Sequence, residues 1–283
     1  VRTSWGSATD RGHVRALNED SLLAYPPVFL VADGMGGHAA GDVASRIVVE
    51  EFSHLAGRAS ATPDDVHACF ARSAARLREA VQVGSTAGTT VAGAAIAAHE
   101  GGAYWLVFNI GDSRVYRWAE GEMEQISVDH SVVQELIDAG EIGPVQARRH
   151  PQRNVVTRAV GTETEPDPDY WLIPAGPADR LLICSDGLTS EVHEDVVAGV
   201  LRTVPDPQLA AQDLVDRALA AGGRDNVTAV VVDVAVARSA VDTDVTLRAV
   251  DRPETSTSQA PGQWDEAVDG VTLPSGTRPE VNP

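Results

Sequence analysis

The chain has 283 residues, a net charge of −19 and a pI near 4.7. Such an acidic balance argues against a nucleic-acid partner, which needs a basic footprint; it reads either as plain solubility or as carboxylates gathered for divalent cations. All 22 basic residues are arginine, so chemistries that need a P-loop or Schiff-base lysine are excluded. Hydrophobic residues at 43% suffice for a real core, and aromatics at 5% mean that the core rests on Val, Leu, Ile and Ala. Cys69 and Cys184 make no disulfide framework, and the residues six places beyond them are Ala75 and Ser190, not the arginine of a thiol phosphatase loop. The chain is polar from Arg2 onward and has no apolar run near the ~20 residues of a membrane span, which predicts a cytoplasmic location without a signal peptide.

In chain order, β-branched or aromatic runs bounded by Gly, Pro or Asp predict strands at Leu22–Ala24, Val28–Ala32, Gly88–Ala98, Tyr104–Ile110, Arg114–Trp118, Arg180–Cys184 and Val227–Val234. A first helix is expected from about Ala40 to Leu55. A second opens at Thr62-Pro63-Asp64-Asp65, with an N-cap, a proline and acids in its first turn. Its apolar stripe is Val66, Phe70, Ala74, Leu77 and Val81, and Gly84 stops it. A third opens at Asp206-Pro207, carries Leu209, Leu214 and Ala218, and ends at Gly222-Gly223. Tyr104–Trp118 predicts a hairpin turning at Gly111-Asp112, which favours antiparallel sheet over a βαβ alternation. Pattern alone yields an α+β domain over residues 1–236. From residue 237 to Pro283 the composition shifts to Asp, Glu, Thr, Ser, Pro and Gly without a sustained period, which predicts a disordered tail whose one aromatic is Trp264.

Five acidic motifs sit at strand ends beside Gly or Asn: Asn18-Glu19-Asp20, Asp33-Gly34-Met35-Gly36-Gly37-His38, Gly111-Asp112-Ser113, Ser185-Asp186-Gly187 and Arg224-Asp225-Asn226. Any one of them is an ordinary turn. Strands fix direction, so acids at several strand ends can converge, and converging carboxylates repel unless protonated or bridged by cations. Oxygen-only ligands suit Mg²⁺ or Mn²⁺ over zinc.

The motifs also stand in a telling order. Arg11-Gly12, Val14-Arg15 and Asn18-Glu19-Asp20-Ser21 are followed by Val31-Ala32-Asp33-Gly34-Met35-Gly36-Gly37-His38 and Gly88-Thr89-Thr90. Then come Asn109-Ile110-Gly111-Asp112-Ser113-Arg114, Asp129-His130-Ser131, Cys184-Ser185-Asp186-Gly187-Leu188 and Arg224-Asp225-Asn226-Val227-Thr228. Over about residues 4–234 this series resembles the bacterial branch of the type-2C metal-dependent protein serine/threonine phosphatases. The resemblance implies a four-layer α/β/β/α sandwich of two stacked antiparallel sheets flanked by helices. It implies two Mn²⁺ or Mg²⁺ ions: Asp33 bridging both, Asp186 and Asp225 completing the first, the Gly34 carbonyl and Glu19 serving the second. A water held between them would attack phosphorus. Asp112, with Asp186, matches the ligands of a third ion. Arg15 matches the phosphate-binding arginine, and Asp20 is placed to orient Arg15 or a metal-bound water.

The chain departs from that pattern twice. Met35 stands where eukaryotic members carry a histidine acid, leaving His38 as the nearest substitute, and Ser190 stands where some members carry a further acid. Residues Asp138 to Glu165 resemble the variable flap, whose Arg148, Arg149 and Arg153 would form a basic rim for phosphopeptide, beside His150 and Arg158. The expected activity is hydrolysis of phosphoserine and phosphothreonine on proteins by a monomer opposing a bacterial serine/threonine kinase. The alternatives are a phosphoprotein-binding pseudophosphatase and a metallohydrolase of small phosphoesters.

Overall fold

The computed structural model of the chain describes residues 2–36, 40–80, 87–162 and 165–235, with the short strand 272–273. Its strands are β1 (Arg2–Asp10), β2 (Asp20–Tyr25), β3 (Val28–Gly36), β4 (Ala87–Thr89), β5 (Val91–His99), β6 (Gly102–Ile110), β7 (Arg114–Ala119), β8 (Glu122–Gln125), β9 (Asp169–Pro174), β10 (Arg180–Cys184), β11 (Val227–Ala235) and β12 (Thr272–Leu273). Its helices are α1 (Ala40–Ser53), α2 (Pro63–Ala80), α3 (Val132–Asp138), α4 (Pro144–Ala147), α5 (Asp186–Thr189), α6 (Glu194–Thr203) and α7 (Pro207–Ala221).

Two wholly antiparallel sheets result, one ordered β1-β11-β10-β7-β8, the other β12-β9-β6-β5-β3-β2 with β4 also on β3. Alternation along the strands then makes three apolar layers. Leu181 and Ile183 of β10 face the other sheet, meeting Phe29, Val31 and Trp105, while Leu182 and Cys184 face α5, α6 and α7. In the same way Leu30 and Ala32 of β3 face α1 and α2, where Phe52, Phe70 and Phe108 form a ring cluster. Each fully buried aliphatic side chain stabilises by roughly 1.5–3 kcal/mol, and strands buried on both faces explain why so few aromatics suffice. The four-layer α/β/β/α sandwich implied by the resemblance is the architecture.

Three expectations need correction. Tyr104–Trp118 is not a hairpin: β6 already has β5 and β9 as partners, so β7 joins the other sheet beside β10 and β8. The chain steps between sheets at Gly111-Asp112-Ser113, where Gly111 has φ +107° and a Cβ would stand 2.5 Å from Thr90. The run Gly88–Ala98 is two strands, broken at Thr90, whose N–H turns to the Asp33 carbonyl at 2.9 Å. Leu209 of α7 is 63% exposed, the buried stripe being Ala210, Ala211, Leu214, Val215 and Ala218. The α2 cap is as expected, Thr62 and Asp65 exchanging side chain to backbone bonds at 3.1 and 3.0 Å. Val81 and Gly84 lie outside the described residues, as does most of the segment from residue 237 onward; Thr272 and Leu273 pair with β9.

Candidate active site

Five chain segments bring carboxylates to one end of the sandwich. Asp20 opens β2 with Glu19 directly before it, and Asp20 is registered against Asp33 near the end of β3. Asp112 sits at the crossover between the sheets, Asp186 opens α5 just after β10, and Asp225 stands two residues before the first residue of β11. Their mutual influence is visible in their proton affinities. Burial, then the charges of Asp20, Asp186, Asp112 and Asp225, raise the Asp33 carboxyl well above the usual range. Burial and Asp186 push Asp112 up to about 8. Burial also raises Asp20 to about 7, against hydrogen bonds from Thr228 and Ser185 that favour its charged form. Asp186 is raised by burial and Asp225, while a hydrogen bond with Asp33 works the other way.

The glycines and hydroxyls of the motifs hold these acids in place. Thr89 Oγ1 and Thr90 N–H both donate to the Asp33 carbonyl, at 2.9 Å each, and Thr90 Oγ1 lies 2.7 Å from Ser113 Oγ beside Asp112. Asn226 pins the loop that carries Arg15 and Glu19: its Nδ2 donates to the Arg11 and Leu17 carbonyls, and its Oδ1 accepts from Glu19 N–H at 2.8 Å. A Cβ on Gly34 would stand 2.2 Å from the Gly41 carbonyl and 2.6 Å from that of Glu19; one on Gly41 would stand 2.7 Å from Glu19 Oε1. The start of α1 therefore closes onto β3 only because both are glycine, and Glu19 lies over the junction.

Of the two roles expected for Asp20, the structure does not give it the first, orienting Arg15: its Oδ2 accepts from Ser185 Oγ at 2.8 Å and Thr228 Oγ1 at 2.7 Å, tying β2 to the ends of β10 and β11. Arg15 instead donates to Asp225 Oδ2 at 2.7 Å and remains half exposed, free to reach a ligand. His38 lies outside the described residues. Of the three flap arginines, Arg148 and Arg153 line a groove of about 450 Å³ that runs from Asp112 and Asp186 under α3 and α4; Arg149 is exposed and does not line it. Arg158 bonds to Asp169 rather than to the rim. Sequence reasoning missed Arg114, which grips Asp129 through two nitrogens, with contacts from 2.7 to 3.1 Å, and floors the groove; its place directly after Gly111-Asp112-Ser113 was the available signal.

The donor set is all oxygen and suits Mg²⁺ or Mn²⁺. Asp20 Oδ1 is buried without a hydrogen-bond partner, and the repelling acids of Asp33, Asp112 and Asp186 are what divalent charge offsets. Among the described residues no three His, Cys, Asp or Glu side chains close around one point. Here hydrogen bonding between Asp33 and Asp186, and the Arg15 guanidinium on Asp225, balance part of the charge. Carboxylates balanced in this way have no reason to close up on one another, so they converge on one end of the sandwich without forming a closed cage.

The family model described as Protein phosphatase 2C matches residues 10–220. The chain belongs to the protein phosphatase 2C family. It is 38% identical over 244 residues to the Mycobacterium tuberculosis serine/threonine protein phosphatase PstP, covering 81% of this chain and 45% of that protein, so it spans about half the length of that relative. It is 33% identical over 239 residues to the serine/threonine phosphatase stp of Listeria monocytogenes, covering 80% of this chain and 93% of that one. A solved structure of the PstP catalytic domain in complex with two manganese ions superimposes with a TM-score of 0.70 at 36% identity, over 82% of this chain and 97% of the other. Among the described residues no helix is long and apolar enough to cross a membrane.

Proposed function

We propose that this phosphatase 2C chain hydrolyses phosphoserine and phosphothreonine on proteins. The observation that carries the reading is the convergence of Asp33, Asp112, Asp186 and Asp225 from separate strand ends, beside a half-exposed arginine. Asp33 would bridge two divalent ions, Mn²⁺ or Mg²⁺, with Asp186 and Asp225 on the first and the Gly34 carbonyl and Glu19 on the second; Asp112, with Asp186, would hold a third. Such ions, when bound, supply an activated water and neutralise phosphoryl oxygens. The chain's own residues do the rest. Arg15, aimed by Asp225, grips the phosphate through its planar fork. Thr89 and Thr90 keep the Asp33 backbone from shifting as charge develops. The groove under α3 and α4 would take the peptide, with Arg148 and Arg153 meeting acidic groups along it. Protonation of the leaving oxygen falls to His38 or to solvent.

We further read residues 1–236 as the catalytic domain and 237–283 as a tail that returns to it through Thr272 and Leu273 on β9, and infer a cytoplasmic role opposing a serine/threonine kinase. Support comes from the phosphatase names of relatives that match along nearly the whole of this domain. A phosphothreonine peptide incubated with Mn²⁺, with Mg²⁺ and with chelator tests the activity. Release of phosphate only with metal is expected. Tight peptide binding without release would make the chain a pseudophosphatase, and preference for small phosphoesters over the peptide would move it to another substrate class.

A further inference from the structure

The Asp129-His130-Ser131 motif has no part in the scheme above, yet its central residue is among the most heavily bonded near the site. His130 is 5% exposed. Its ring Nδ1 accepts from Gly111 N–H at 3.1 Å, and its own N–H donates to the Gly111 carbonyl at 2.8 Å. Both backbone groups of the residue before Asp112 are thus held by His130, and Asn109 Nδ2 also donates to the Gly111 carbonyl at 3.0 Å. Because Nδ1 accepts, the ring proton sits on Nε2, which donates to Asp169 Oδ2 at 3.0 Å. Asp169 opens β9, directly after the flap, and its other oxygen accepts from Arg158 at 3.3 Å. The two flap stems meet at the same place: Thr157 N–H donates to the His130 carbonyl at 2.8 Å, and Ser131 is bridged to Val156.

We propose that His130 is the positioning residue for Asp112, holding the crossover at the seam of the sheets to the stems of the flap. Gly111 is the hinge on which Asp112 would otherwise turn, since its φ of +107° is open to glycine alone. A ring fixed at both nitrogens cannot rotate, so it fixes the Gly111 backbone from which Asp112 follows. The proposal rests on the reading of Asp112 as a ligand for a third divalent ion, and residues that orient ligands in this way commonly change metal affinity by about 10–100-fold.

Two amide substitutions separate the ring's two bonds. His130→Asn puts an oxygen near the place of Nδ1, keeping the acceptor for Gly111 and giving up Asp169. His130→Gln puts a donor near the place of Nε2, keeping Asp169 and giving up Gly111. Calorimetric titration with Mn²⁺, which needs no turnover, should show the weakest site of His130→Gln loosened about tenfold with the tighter sites unchanged. The Mn²⁺ concentration for half-maximal phosphopeptide hydrolysis should rise by the same factor, and kcat at saturating Mn²⁺ should recover to within about twofold. His130→Asn, which keeps the acceptor for Gly111 but loses the Asp169 anchor, should loosen the same site by only about threefold, with kcat at saturating Mn²⁺ again recovering to within about twofold. If His130→Gln does not fold, Asp169→Ala, which frees the ring to turn, should loosen the same site about threefold. Equal loss in both amides, or a lowered Tm with superimposable Mn²⁺ curves, would overturn the proposal and leave His130 as a structural staple. Normal Mn²⁺ binding without phosphopeptide hydrolysis would sink the functional reading alone, and a parent chain that binds no Mn²⁺ would sink both.

Discussion

Strands β10 and β11 carry acids at both ends, and the two ends treat them in opposite ways. At the end remote from the site, Arg180 donates to both oxygens of Asp233, at 2.6 and 2.8 Å, and also to carbonyls at the close of α6; Arg117 forks onto Asp179 at 3.1 Å through both nitrogens. At the near end, Asp186 and Asp225 face Asp33 and one another, with Arg15 as the only guanidinium bonded to any of the three among the described residues. The same two strands can therefore satisfy acids with arginine where nothing else is required. The acids left in mutual repulsion are the ones that the proposed function assigns to a cation.

Substitutions at the two ends should separate activity from stability. Asp186→Asn should lower phosphopeptide hydrolysis by at least about a hundredfold, the scale of losing a main stabiliser of the transition state. In chelator its Tm should hold or rise, since one repelling charge is gone; a lower Tm there would mean that Asp186 serves the fold. Asp233→Ala should do the reverse, costing about 2–4 kcal/mol by leaving Arg180 buried without its partner while kcat stays at the parent value. Denaturant unfolding beside a kinetic assay measures both. A silent Asp233→Ala would end the contrast drawn here.

Arg15→Ala should raise KM about tenfold and lower kcat by less than about threefold, because a phosphate grip acts on ground and transition states alike. Its pair with Asp225 is half exposed, so stability should change by under about 1 kcal/mol. A collapse of kcat alone would put Arg15 in the chemistry itself. The smallest expected effect concerns pH. Asp20 and Asp112 hold protons to about 7 and about 8 in the fold, against about 3.9 in an unfolded chain. The folded, chelated chain thus binds more protons than the unfolded one, and its stability falls as pH rises from about 4 through about 8. Melting in chelator should drop by at least about 4 °C between pH 5.5 and 8.5, and Mn²⁺ should flatten the curve. A flat curve in chelator would remove the claim that these acids repel.

The near end was the more legible of the two in the sequence, because acid-glycine pairs at strand ends are short-range signals. Asp33, Asp186 and Asp225 each stand within two residues of an apolar run. Arg180 and Asp233 are 53 residues apart, and no local pattern joins them. The change of sheet at Gly111 was hidden for a related reason: β6 and β7 look alike as strands, and only the neighbours already paired with β6 decide where β7 goes. Strand β1 escaped notice because an edge strand such as Arg2–Asp10 has no apolar alternation to show. What Asn226 and Thr90 hold in place could not be read at all, since their partners come from distant turns.

The flap is inserted between β8 and β9, yet its stems touch: Val132 N–H meets the Val155 carbonyl at 2.9 Å. An insertion whose ends are already neighbours can be exchanged for one of another length at little closure cost, each doubling of length adding only about 0.6 kcal/mol. The segment between those stems is thus a natural cassette. A chimera that swaps residues 133–154 for the corresponding piece of a relative would inherit a new peptide groove while Asp33, Asp186 and Asp225 stay where β3, β10 and β11 put them, and Asp112 stays on the crossover between β6 and β7.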